Sequence, residues 1–297
     1  MKIFLLVLGL TAFSTSSVSA ELLLYDDFSD SSLNSSRWGV GNWDLGRTQL
    51  GLLPTLNNSG GTTYATLSHN TYNPNAAGSK FLGSEIFSKN LFSRPTDGSL
   101  IFEARVRSSY VVGGLVTSFF SFDRHGTPAV QDELDFEVLT NNGNQVQLTA
   151  WNDFDASNPH YGDLVHHTDH TVAPTGFDAT TWNTYRMELE PSKVNWYVND
   201  SLVWTQANVV PNDPMTIRAN FWAPDVGWAA AYNAALQPTS LAVDNVIFRY
   251  DIDYIRVSSV PEPSSWMPFT IMAAAAMCGR RRNKSKGSEE IKDVRMR

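Results

Sequence analysis

The 297-residue chain has a single cysteine, Cys278, and it lies close to the C-terminal end. An internal disulfide and thiol chemistry are therefore excluded from the body of the protein, even in an oxidising compartment. Basic residues are scarce there too. Nine of the 22 lysines and arginines sit at the two ends, Lys2 and eight beyond residue 260, so residues 21–260 are more acidic than the whole chain's net charge of −8. Such a body repels phosphate and sulfate, which argues against nucleic acid or an anionic glycan as partner. Helical periodicity is almost absent and no internal repeat is visible. Nothing suggests a second globular domain, and a stretch of this length suits one large all-β domain.

The two ends read as addresses. Residues 1–20 open on Lys2, run through the apolar stretch Ile3 to Phe13 and close on Val18-Ser19-Ala20, the order of a secretory signal with a small-residue cleavage site. The mature chain is expected to begin near Glu21. Residues 260–297 carry Val260-Pro261-Glu262-Pro263, an apolar run from Trp266 to Cys278 and the cluster Arg280-Arg281-Arg282. This resembles the PEP-CTERM sorting signal of bacteria, which implies handling by envelope sorting machinery. The apolar run is shorter than the ~20 residues of a spanning helix. Fifteen residues follow Arg282, more than such signals usually carry. An exported protein of the cell envelope or the medium is expected.

Between the ends, short runs rich in Val, Ile, Phe, Tyr, Trp and Thr alternate with clusters of Gly, Asn, Asp and Pro. Ser99 to Arg107, Gly114 to Phe122, Glu133 to Leu139, Gln145 to Trp151, Tyr185 to Leu189, Val194 to Val198, Thr216 to Trp222 and Asp253 to Val257 read as strands. Many short strands joined by turns mean a sandwich or a barrel. Nine tryptophans and ten tyrosines serve mostly in packing, and some of them can stack on the apolar faces of pyranose sugars.

One strand carries chemistry. In Gln131-Asp132-Glu133-Leu134-Asp135-Phe136-Glu137-Val138-Leu139, the acids Glu133, Asp135 and Glu137 fall on one face and Leu134, Phe136 and Val138 on the other. The apolar face must point to the core. Three carboxylates in a row repel one another, and stability alone gives no reason to place them there. Residues four apart on a strand have Cα atoms about 13 Å apart, and if each glutamate leans inward by roughly 4 Å the carboxyls end about 5 Å apart. A retaining glycosidase needs about 5–5.5 Å between nucleophile and acid/base, an inverting one about 6.5–9.5 Å. Asp135 between them can hydrogen-bond or share a proton with either, separating their titrations. On the next strand Gln147, Thr149 and Trp151 join the open face if the loop around Asn141-Asn142-Gly143-Asn144 has odd length.

Glu133-Leu134-Asp135-Phe136-Glu137 matches the E-x-D-x-E signature of glycoside hydrolase family 16. Val116 to Phe120, Gln145 to Gln147, Trp196 to Asp200, Pro214 to Trp222 and Asp253 to Val257 resemble further segments of the family, over nearly all of Tyr25 to Val257. The resemblance implies a jelly-roll sandwich of two antiparallel sheets, concanavalin A-like, with an open concave cleft for a polysaccharide over residues 21–259. It implies Glu133 as nucleophile, Glu137 as general acid/base and Asp135 as helper, with Glu85, Asn220 and Trp222 in the substrate cleft beside Gln147 and Trp151. A retaining endo-glycosidase acting on a β-1,3/1,4- or β-1,3-glucan is expected. No cofactor and no catalytic metal is required. The resemblance offers a structural calcium on the convex side, to which Asp253 can contribute. Three departures bear on linkage: Gln131 replaces a tryptophan, Phe87 an arginine two after Glu85, and Thr149 an asparagine.

Two rival classes remain. A lectin-like glycan-binding module uses the same sandwich, although a pure binder has no need of three acids on one face. A transglycosylase uses the same residues with a sugar hydroxyl in place of water. The cluster His166-His167-Thr168-Asp169-His170 holds metal-ligand types and reads as a solvated loop between Asp163 and Phe177. A monomer is expected.

Overall fold

The computed structural model of the chain describes residues 20–108, 112–158 and 165–261; the expected signal segment, apart from Ala20, and the sorting segment beyond Pro261 lie outside them. Strands dominate, two single-turn 3-10 segments interrupt them, and no α-helix occurs among the described residues. Each of the eight expected strands is present; half of their ends extend further than expected, and two strands start slightly later, at Val116 and Val146. The closing strand is the largest extension, running over Ile247–Pro261.

The strands make a jelly-roll sandwich of two antiparallel layers. One layer, the cleft sheet, runs in the order His167–Val172, Val146–Phe154, Val130–Leu139, Val116–His125, Thr216–Trp222, Phe81–Ser88 and Trp38–Val40. The opposing layer runs Ser201–Gln206, Val194–Val198, Asn183–Leu189, Gly98–Ser108 and Ile247–Pro261, which then pairs with both Thr62–Asn70 and Glu21–Asp26. Phe81–Ser88 also pairs with Thr48–Leu50, the one parallel ladder among the described strands, so the two layers meet at that corner.

Alternation explains the core. Leu134, Phe136 and Val138 are buried between the layers, and the Phe136 ring stacks on Tyr185 of the opposing sheet at 4.7 Å. Each such burial contributes about 1.5–3 kcal/mol, enough to hold the acid strand in register against the repulsion of its open face. Nine residues, 138 to 146, connect Glu137 to its cross-strand partner Gln147, the odd length that the alternation asks for.

One expectation is corrected. The histidine segment is not a loop: His167–Val172 is a seventh strand at the edge of the cleft sheet, paired from Trp151↔His167 to Val146↔Val172. An edge strand packs little of itself, and most of its side chains are half-buried or exposed, so no hydrophobic alternation marks it in the sequence.

Candidate active site

Strand pairing arranges the open face of the cleft sheet in rows that run across the strands. One row is Trp151, Glu133, Phe122 and Thr216; the next is Thr149, Asp135, Phe120, Arg218 and Phe87; the third is Gln147, Glu137, Ser118, Asn220 and Glu85. Each row draws on residues far apart in the chain. The cavity above them has a volume of ≈ 490 Å³ and is lined by all three acids with Glu85, Asn220 and Trp222.

Two glycines let this floor close. A Cβ on Gly39 would lie 2.2 Å from the Phe87 ring, and one on Gly41 2.9 Å from Glu85 Cβ, so the outermost strand can approach the cleft only without side chains there.

The acids are tightly tied. Gln131 Nε2 donates to Glu133 Oε2 at 3.1 Å, and Trp151 Nε1 donates to Asp135 Oδ2 at 3.3 Å. From the opposing sheet, the buried Trp196 donates its indole N–H to the Asp135 carbonyl oxygen at 3.2 Å. Glu85, 2% exposed, accepts from Asn220 Nδ2 and from Arg218 Nη1, each at 3.2 Å. Asn220 Oδ1 and Thr149 Oγ1 are buried without a hydrogen-bond partner, as polar atoms are where a ligand completes the site.

Electrostatics separates the three carboxyls. Burial pushes Glu133 up to about 8, with the charge of Glu137 adding to the rise, while a hydrogen bond with Asp135 and the charge of Arg218 oppose it. Asp135 is raised well above the ordinary carboxylate range by burial and then by the charge and hydrogen bond of Glu133. Glu137 is raised well above its usual value by burial and by Asp135, against the neighbouring Ser118 hydroxyl. Of the three, Glu133 has both a hydrogen-bonding neighbour and a guanidinium favouring its anion. All three are therefore harder to ionise than free carboxyls, and the neighbours that favour an anion gather at Glu133.

The structure brings Glu85, Asn220 and Trp222 into the acid cavity. Gln147 instead lines an adjoining hollow of ≈ 240 Å³ with Asn142, Gln145 and Thr171. Trp151 lies beside the acids as the donor to Asp135 and packs, tilted, against His167 at 3.9 Å between ring centres. Residues that sequence reasoning passed over also line the cavity: Trp43, Leu45, Phe120, Phe122 and Arg124. Phe119 and Phe120 are both buried, one facing the core and the other the cleft, so alternation in that strand carries no signal. Trp222 packs against Trp228 in a tilted pair, with ring centres 5.7 Å apart, extending an aromatic wall along one flank.

Among the described residues, metal-ligand types do not converge around His166 to His170. His166 Nδ1 lies 2.8 Å from the Asn152 carbonyl, and His170 packs against Trp204. Ligating atoms of His125, Asp153 and Asp213 do lie within 4.8 Å of one another, near the cleft's end. There the carboxylates of Asp213, Asp132 and Asp123 outweigh burial and raise the His125 pKa. Buried Asp132 braces the same region by accepting the backbone N–H groups of Asp153, Asn212 and Asp213. Asp253, which the resemblance offers as a calcium ligand, accepts a hydrogen bond from Arg105 Nη1 at 2.7 Å.

Among solved structures, a prokaryotic beta-1,3-1,4-glucanase (lichenase) derived from a mouse hindgut metagenome superposes with a TM-score of 0.56 at 20% identity, covering 79% of this chain and 97% of that one. The catalytic domain of an endo-1,3-beta-glucanase (laminarinase) from Thermotoga petrophila RKU-1 gives 0.58 at 15% identity, covering 81% and 98%. That likeness is one of fold. Curated relatives include a beta-glucanase of Brevibacillus brevis, 31% identical over 146 residues (46% of this chain, 51% of the relative), and one of Bacillus subtilis strain 168, 30% identical over 143 residues (46% and 53%). The chain spans about half the length of the curated relatives it matches. Residues 61–256, which include every acid of the cavity, match the family described as Glycosyl hydrolases family 16, and the chain belongs to that family.

Proposed function

We propose that this protein is a retaining endo-β-glucanase that cuts internal bonds of a β-1,3/1,4- or β-1,3-glucan by double displacement. The observation that carries the reading is the acid strand: Glu133, Asp135 and Glu137 line one open cavity while Leu134, Phe136 and Val138 are buried beneath them. Relatives named as beta-glucanases support the substrate class.

In this reading Glu133 attacks the anomeric carbon as a carboxylate, and Glu137 gives its proton to the departing glycosidic oxygen. Glu137 then takes a proton from the water that releases the glycosyl-enzyme. Asp135 hydrogen-bonds Glu133 and is itself oriented by Trp151. Glu85, Asn220 and Trp222 hold the glycan, through hydroxyl hydrogen bonds and ring stacking, with Gln147 and Trp151 on the far side of the acids. Three carboxyls held at raised pKa favour an enzyme over a lectin, because a binding surface gains nothing from charges that are hard to form. Transglycosylation uses the same groups and differs only in the acceptor.

The ends of the chain support export, removal of residues 1–20 and retention at the envelope through residues 260–297, with a monomeric domain over 21–259. Product analysis on barley β-glucan, laminarin, xyloglucan, agarose and carrageenan tests the function: oligosaccharides of intermediate length from the first two are expected. Inactivity on the whole panel contradicts it.

A further inference from the structure

We propose that Arg218 is a positioning residue of this hydrolase: its guanidinium, fixed among aromatic rings, aims Glu85 at the glycan and supplies the positive charge that faces Glu133. This rests on the hydrolase reading above. It goes beyond that reading because Arg218 neither donates nor accepts the protons of the reaction.

The side chain is 18% exposed and is restrained through two of its three nitrogens. Nε donates to Thr216 Oγ1 at 2.9 Å and Nη1 to Glu85 Oε1 at 3.2 Å. The guanidinium carbon lies 4.6 Å from the ring centre of Phe122, 5.4 Å from that of Phe87 and 5.9 Å from that of Trp43. A cation over aromatic faces and partly out of water acts more strongly on nearby anions than a solvated one. Such a charge is not interchangeable with a flexible ammonium, since the planar fork is what lets one group hold a ring stack and a carboxylate together.

The charge balance of the cavity makes the role specific. The groups around Glu133 are Asp135 and Glu137 on its own strand, Glu85 and Arg218 across the sheet, and Arg124 at the exposed rim. The neighbours from the strand Val146–Phe154 are uncharged, with His167 behind Trp151. Four carboxyls thus face one cation held within the floor.

Placement across the sheet makes the role transferable. Arg218 is the direct cross-strand partner of Phe87, whose ring lies beneath the guanidinium. Paired positions have Cβ atoms about 5 Å apart. An arginine at 87 and a phenylalanine at 218 therefore put the same charge and the same ring into the same space by exchanging strands.

The test measures kcat and KM on barley β-glucan against pH for wild type, Arg218→Met, Arg218→Lys, Arg218→Phe and the exchange Phe87→Arg with Arg218→Phe. Arg218→Met is expected to lower kcat/KM about 100-fold, a loss typical of removing one preorganised electrostatic contact. Its acid limb should move to higher pH, because Glu133 loses a charge that favours its anion. Arg218→Lys should recover part of the rate and most of the pH shift, and the exchange should recover at least tenfold over Arg218→Phe alone. Carbon-13 titration of the Glu133 carboxyl in wild type and Arg218→Met gives the same shift without turnover. An active wild type whose pH profile and Glu133 titration are unmoved in Arg218→Met, with only the melting temperature lowered, overturns the inference and leaves the hydrolase reading standing. A wild type that cleaves no β-glycan overturns the hydrolase reading instead.

Discussion

Trp196 and Asp135 belong to opposite sheets, yet the indole N–H of Trp196 reaches the Asp135 carbonyl oxygen at 3.2 Å through the core. The middle acid is thus held from below by the opposing layer and from beside by Trp151. Trp196→Phe keeps most of the buried volume and removes the donor. It is expected to cost about 1–2 kcal/mol, the range for an unmade buried hydrogen bond plus a small cavity, and to lower kcat more than it raises KM. Thermal unfolding and steady-state kinetics check both; an unchanged melting temperature contradicts the bracing role.

The acid row should make the protein more stable at low pH than at high pH. Glu133 is raised from 4.5 to about 8 on folding. Between those values the folded state binds more protons than the unfolded one, so stability falls as pH rises through that window. Glu133→Gln removes the titration. Denaturant melts should show the variant more stable than wild type at pH 8, by about 1–3 kcal/mol or several degrees in Tm, with the difference vanishing near pH 4. A variant less stable than wild type at pH 8 contradicts the burial argument.

Much of this was legible in the sequence, because a period of two is a strong signal when one face is apolar. The acid strand, its register with Gln147 and the strands carrying Asn220 and Trp222 all follow from alternation. The rest came from strand order, which local pattern does not encode. Arg218 meets the acids only because Thr216–Trp222 packs beside Val116–His125, some ninety residues away along the chain. His167–Val172 escaped notice because an edge strand needs no apolar face. Trp43 enters the cleft from a connection with almost no regular structure, where spacing says nothing about direction.

Gly39→Ala places a methyl where the Phe87 ring now lies. The ring must move, and with it the support beneath Arg218. A loss of about 1–3 kcal/mol in stability is expected, as for overpacking a core, together with a tenfold or greater loss of kcat/KM. Wild-type activity in Gly39→Ala would mean that the cleft floor tolerates displacement and that its close packing is not functional.

Asp135→Asn tests the helper role. It removes a charge coupled to both glutamates without removing either, so the rate should drop less than in a Glu133 variant. Asparagine can neither take the charge that raises Glu137 nor carry the proton shared with Glu133, so both limbs of the pH profile should move. A reduced rate with both limbs in place would limit Asp135 to packing.

The most direct test of the central claim is the anomeric configuration of the product that Glu133→Ala forms with azide and an activated β-glucosyl substrate, read by proton NMR. Without azide the variant should be inactive while still binding glycan through Glu85, Asn220 and Trp222. With azide occupying the space of the missing carboxylate, the account predicts an α-glycosyl azide, inverted from the β-linked substrate. Hydrolysis by Glu133→Ala at the wild-type rate, or a β-azide as its product, would contradict it.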